Sequence, residues 1–241
     1  MVGGLRVFLA RYFYFAMAVL LTAIVFYGFS GTIQENLFHP SFARPRVLYV
    51  HAAVFGGWMV LLVVQTGLVA LFRKRRWHRW LGWLGVVLAC AMPVLGAWSA
   101  LRMTHLRYGF GDIDDVAFLI LALNDMAAFA SLMLAAILLR NRDSEAHKRL
   151  VLMAACAISV AALTRVPPDI LPPVGTAAWP YYAYLDVLIA LGLLRDLVVM
   201  GRLHWVYARV FPAVIALQAV TNAIYMTRPK LWMDLALWLI R

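Results

Sequence analysis

Residues 47–71 read VLYVHAAVFGGWMVLLVVQTGLVAL, and residues 72–85 follow as FRKRRWHRWLGWLG. The first stretch holds no Asp, Glu, Lys or Arg. Crossing about 30 Å of hydrocarbon at about 1.5 Å per residue takes about 20 mainly apolar residues, and this run supplies them. Backbone groups in lipid need internal partners, so a run this continuous is a helix. A basic cluster then ends it, and a new apolar run begins at once.

The same alternation recurs along the chain. Apolar runs at about 11–30, 47–71, 79–101, 116–139, 149–166, 179–200 and 207–226 predict an all-α, polytopic bundle of seven transmembrane helices. Residues 1–241 then form a single integral membrane domain, since no loop is long enough for another. Composition agrees: 65% of residues are hydrophobic and 14% charged, against about 45–50% apolar and 25% charged in soluble domains. Run 11–30 has basic residues before it and small residues after it, as a secretory signal does. Its length reads instead as a spanning helix.

Basic loops set the orientation. An inside N-terminus puts fourteen of the 22 Lys and Arg residues in inner segments, five of them Arg73, Lys74, Arg75, Arg76 and Arg79. The C-terminus is then outside, and the location expected is the inner membrane of a bacterium. The net charge of +11 is spread over short loops, which predicts the lipid bilayer, with its anionic headgroups, as partner and no nucleic acid. The tail 228–241 is too short to span after Pro229 and is expected at the outer interface, with Trp232 and Trp238 at headgroup depth. Cys90 and Cys156 sit in separate helices and form no redox motif.

Ionisable residues inside a bilayer cost about 2.5–3.5 kcal/mol each at its centre and call for a reason. His51, Asp125 and Asp186 all fall in the outer half of their runs, with Asn124, Tyr49, Tyr181, Tyr182, Tyr184 and Asn222 nearby and Arg102 and Arg165 at helix ends. One reading is an outward pocket for a cation, a proton or a polar ligand. The other is polar glue, in which Asp125 and Asp186 pair with arginines or tyrosine hydroxyls to hold helices together. No HExxH spacing accompanies these residues, which argues against a metal-dependent hydrolase. The acidic stretch Asp112, Asp114, Asp115 lacks the ligand series of a calcium loop. Asp114 or Asp115 is expected to cap the fourth helix.

The histidine of the opening stretch has an echo. Trp77-His78-Arg79-Trp80-Leu81 starts the third run and Ala146-His147-Lys148-Arg149-Leu150 the fifth, each reading His, basic, any residue, Leu. Leu203-His204-Trp205 is a looser third copy. Two histidines at matching depth are what bis-imidazole ligation of a b-type haem needs, with Arg79, Lys148 and Arg149 available to propionates. An imidazole at a basic interface also serves as a helix cap or a headgroup contact, and both readings stay open.

The stretches HRWLGWLGVVLA and HKRLVLMAACAISVAALTR resemble the paired H-R-x-L-G and H-R-R-x-M signatures of a family of bacterial multi-pass membrane proteins whose domain has no assigned function. YVHAAVFGGWMVLLVVQ, with an early histidine, is similar too. The resemblance covers about residues 47–166 and implies His51, His78, His147 and Arg165 as positions of interest. The same core more distantly resembles the transmembrane b-type cytochromes of the ascorbate-dependent ferric reductase type. It matches one of their two histidine pairs, His78 with His147. The partner expected for His51 is missing, since the fourth run offers Asn124 and Asp125.

The sequence thus predicts a redox or haem-associated protein holding one haem b near the inner face. The outer cluster would take a reductant, a quinone or protons. A cofactor-free carrier or channel using His51, Asp125 and Asp186 is the alternative, and an accessory or assembly subunit of a larger membrane complex is the third.

Overall fold

The computed structural model describes residues 2–34, 38–40, 42–171 and 179–241, among which there is no strand. The proline-rich stretch 172–178 and the side chain of Tyr181 lie outside the described residues. The helices are α1 (Val2–Ser30), α2 (Arg46–Ala70), α3 (Arg75–Gly109), α4 (Ile113–Leu139), α5 (Ser144–Leu163), α6 (Trp179–Met200), α7 (Phe211–Thr227, entered through a π-turn at Val206–Val210) and α8 (Lys230–Leu239).

Each apolar run is a helix, and most helices begin before their runs, while α5 ends at Leu163, short of the expected 166. Hydropathy marks the part suited to hydrocarbon, whereas backbone hydrogen bonding continues through polar flanks. So α1 begins at Val2 and α3 extends over Arg102, His105 and Arg107. The α4 start moves in the same way. With the helix beginning at Ile113, the capping position falls on Asp112, which accepts from Asp115 N at 3.1 Å. Asp115 and Asp114, the residues expected to cap, instead pair with Arg107 at 2.5 Å and Arg228 at 2.7 Å. Asp143 caps α5 by accepting from Ala146 N at 2.9 Å.

Among the described residues, six helices are long and apolar enough to cross a membrane: α1 to α5, and the π-turn with α7. Helix α6 forms where the sixth run predicts it, but Asp186, Arg195 and Asp196 interrupt its apolar length. The lipid-compatible surface is broad, with Val60, Val87, Val94, Trp98, Leu138 and Val220 all at least half exposed.

Helices α1 to α5 pack in order, and α5 returns to α1, so the five close into a ring. Trp58, Met59, Met92, Phe129, Met153 and Leu21 fill its interior. Helix α6 lies outside against α5 and α1, α7 against α4 and α6, and α8 against α4. Helix α5 is therefore enclosed on all sides, which suits its run of small residues, Ala154, Ala155, Ala157 and Ser159. In the tail, Trp238 is exposed, whereas Trp232 is buried on Val116 and Leu119 and donates to the Ala117 carbonyl at 3.3 Å.

Candidate functional site

The short α2–α3 and α4–α5 turns lie at the same end of the ring, which carries most of the basic cluster and both repeat histidines. His147 Nδ1 lies 2.9 Å from the carbonyl oxygen of Ala136 on α4. A ring nitrogen facing a carbonyl carries the proton, so Nε2 keeps its lone pair. His78 on α3 stands near His147 and faces the Gln65 backbone of α2, and its Nδ1 is buried without a hydrogen-bond partner. The Oε1 of Gln65 on α2, in a side chain packed beside Gly82 of α3, is buried and unpartnered as well. This end of the ring thus gathers His78 and His147 with polar atoms that water does not reach.

His204, the third histidine, belongs to a different arrangement. Val206 N donates to its Nδ1 at 3.4 Å, and its Nε2 lies 3.9 Å from Asp143 Oδ2. Burial, with the Arg149 charge nearby, holds its pKa below the ordinary imidazole value. The Ala146 N–H holds the Asp143 carboxyl below the usual carboxylate range. His204 thus links the α6–α7 connection to Asp143 at the start of α5.

Two of the basic residues beside the histidines are already engaged. Arg149 is fully buried and forks onto Asp196, with Nε to Oδ2 at 2.7 Å and Nη2 to Oδ1 at 2.6 Å. Its Nη1 donates to the Glu145 carboxylate at 2.8 Å, and Lys148 bonds the other Glu145 oxygen at 2.6 Å. Arg195 adds a 3.0 Å contact to Asp196. Nothing in the sequence reading singled out Glu145, Arg195 or Asp196 as a site. The available signal was the charged dipeptide Arg195-Asp196 inside the apolar run of α6. Arg79, by contrast, is exposed.

The second cluster lies between α4, α5, α6 and α7. Tyr182 Oη donates to Asp125 Oδ1 at 3.0 Å, and Gln218 Nε2 to Asp186 Oδ1 at 3.3 Å. Asn124, Asp125, Tyr182 and Gln218 line a cavity of about 10 Å³, room for about one water. Asp125 and Asp186 are thus brought to one seam. His51 is not: it stacks on Phe55 with ring centroids 4.0 Å apart, facing Leu95 of α3, and its Nδ1 is buried without a partner. Arg165 is exposed, bonded to Ala161 O and lying over the Phe29 ring. It pairs with neither aspartate.

No family model, curated protein or solved structure matches this chain. The chemistry of these two sites is therefore the basis for a functional reading.

Proposed function

We propose that this chain is a seven-helix protein of a bacterial inner membrane, N-terminus inside and C-terminus outside, that holds one b-type haem between His78 and His147 and serves in electron transfer. The observation that carries the reading is the His147 ring: its Nδ1 is fixed on the Ala136 carbonyl, so Nε2 is the nitrogen left to a metal. Beside it, His78 offers a ring with a buried, unpartnered nitrogen. Two such imidazoles are the donor set for bis-imidazole ligation.

A bound haem supplies one-electron chemistry. The chain's own share is to position the two rings and to balance the propionates. Lys148 and Arg149 are held by Glu145 and Asp196, which leaves Arg79 for the propionates. The Asp125 cavity has room for about one water and suits a proton rather than a quinone, since pockets for small organic ligands run to about 300 Å³ or more. The seventh spanning helix in this reading is α6, whose Arg195 and Asp196 meet Arg149 and whose Asp186 meets Gln218 instead of lipid.

Protein purified from a haem-replete host is expected to show a Soret band. The band should be lost in His78→Ala and His147→Ala and retained in Asp125→Asn. Colourless protein, beside a control cytochrome that keeps its haem, overturns the reading in favour of a cofactor-free carrier. In a carrier the order reverses, with Asp125→Asn damaging and His78→Ala silent.

A further inference from the structure

The wall of the cavity between α4, α5, α6 and α7 is mainly apolar, with Leu185 and Val214 in it, and its polar residues are Asn124, Asp125, Tyr182 and Gln218. Each of the four offers oxygen as its acceptor atom, and no Lys, Arg or His stands among them. Tyr182 Oη donates to Asp125 Oδ1 at 3.0 Å, which takes one of about four lone-pair sites on that carboxylate. Gln218 Nε2 donates to Asp186 Oδ1 at 3.3 Å. An ionised carboxylate only accepts, so the NH2 end of the Gln218 amide is the end that meets Asp186. The carbonyl end is turned from that partner.

Gln218 is 3% exposed, and its Oε1 is buried without a hydrogen-bond partner. Four residues along α7, on the same face, Asn222 Oδ1 is buried and unpartnered as well. An amide oxygen shut away from water and left unpaired costs free energy, and α7 carries two such atoms. A carboxylate inside an apolar span has the matching need for a positive charge, and no basic side chain in the wall supplies it.

We propose that this cavity binds one sodium ion, held by the Asp125 carboxylate, the Gln218 and Asn124 amide oxygens and the Tyr182 hydroxyl oxygen, with Asp186 as the positioning residue for Gln218. A donor set of oxygen alone suits a hard cation. One carboxylate in the wall balances one charge, so a divalent ion is left unneutralised in apolar surroundings. Calcium also takes about 6–8 oxygens, and magnesium keeps several waters. The volume of about 10 Å³ is at the lower limit for one water. Sodium is smaller than a water molecule, whereas potassium is about as large. Asp125 then holds one positive charge at a time, a sodium ion or the proton assigned to it above. Tyr182 of α6 is the other titratable group in the wall, to which α5 and α7 contribute none. The site uses no atom of His78 or His147, so a missing Soret band leaves it standing, and missing sodium binding leaves the haem reading standing.

The test is binding of radioactive sodium to the purified full-length protein in detergent, by equilibrium dialysis in a choline buffer at mildly alkaline pH, where protons compete least. Saturable binding of about one ion per chain is expected, as a cavity with room for about one water allows. Asp125→Asn keeps the shape of the side chain and removes its charge, so affinity should fall about tenfold or more. Asp234→Asn, on the exposed face of α8, should bind as the unaltered protein does. Unlabelled potassium should need a concentration about tenfold or more above that of unlabelled sodium to displace the label. This selectivity is read on the unaltered protein, so it decides the matter even if Asp125→Asn fails to fold. Absence of saturable binding overturns the proposal, as does displacement by potassium or calcium as effective as by sodium. Folded Asp125→Asn that binds like the unaltered protein overturns it too, and the cavity then holds water alone.

Discussion

Arg149 donates through all three guanidinium nitrogens, to Asp196 of α6 and to Glu145 one turn behind it, with no exposed surface. A buried pair of this kind is costly to break from one side, because the partner is left charged and unsolvated. Arg149→Met is therefore expected to destabilise the protein by about 3–5 kcal/mol, seen as a lower melting temperature in detergent. Combining Arg149→Met with Asp196→Leu should not recover the loss, because Arg195, buried and bonded to Asp196 at 3.0 Å, is then left charged without its partner; a double variant as stable as the unaltered protein would contradict this account. The pair was not legible in the sequence, since its members are 47 residues apart and helix neighbours are invisible to periodicity. The histidines were legible, because a local repeat places His78 and His147 at one end whatever their helices pack against. Sequence could group His51, Asp125 and Asp186 only by depth. Packing divides them, with His51 facing α3 and the two aspartates on the α4–α7 seam.

At the scale of elements, the apolar runs identified every long helix, since length and continuity are sufficient signals for a bilayer. Helix ends were less legible, because polar residues continue a helix without changing its hydrogen bonds. The close approach of α1 to α5 rests on one small residue. A Cβ built at Gly28 would come within 2.9 Å of the Ala162 carbonyl carbon and nearer still to its oxygen. Both atoms are backbone and cannot swing aside, so α1 must separate from α5. Gly28→Val is expected to lower stability by about 1–3 kcal/mol, the usual range for overpacking. Gly56→Ala in α2, with nothing within 4 Å, should be neutral or slightly stabilising as a helix substitution. Comparable melting temperatures for the two variants would show that the α1–α5 contact is looser than this.

For the whole molecule, the ring of α1 to α5 and the outer layer of α6 to α8 divide the chemistry. His78 and His147 stand at one end of the ring, and the Tyr182–Asp125 and Gln218–Asp186 bonds join α4, α6 and α7 beside it. Both depend on the direction in which the chain enters the membrane, and that direction rests on charge. The α2–α3 turn and the start of α3 concentrate Arg73, Lys74, Arg75 and Arg76 in four residues, and a cluster of this density resists translocation. The turn between α3 and α4 instead carries Asp112, beside the Arg107–Asp115 pair. With Cys90 and Cys156 replaced by alanine, single cysteines at the two turns report the direction. A membrane-impermeant maleimide should label Asp112→Cys in intact cells, and Arg75→Cys only after the membrane is permeabilised. Changing Arg73, Lys74 and Arg76 to Asn in the Arg75→Cys background removes most of the bias at that turn, so a fraction of molecules should then label from outside. Labelling of Arg75→Cys in intact cells with those charges still in place would reverse the orientation. It would also put His78 and His147 at the outer face.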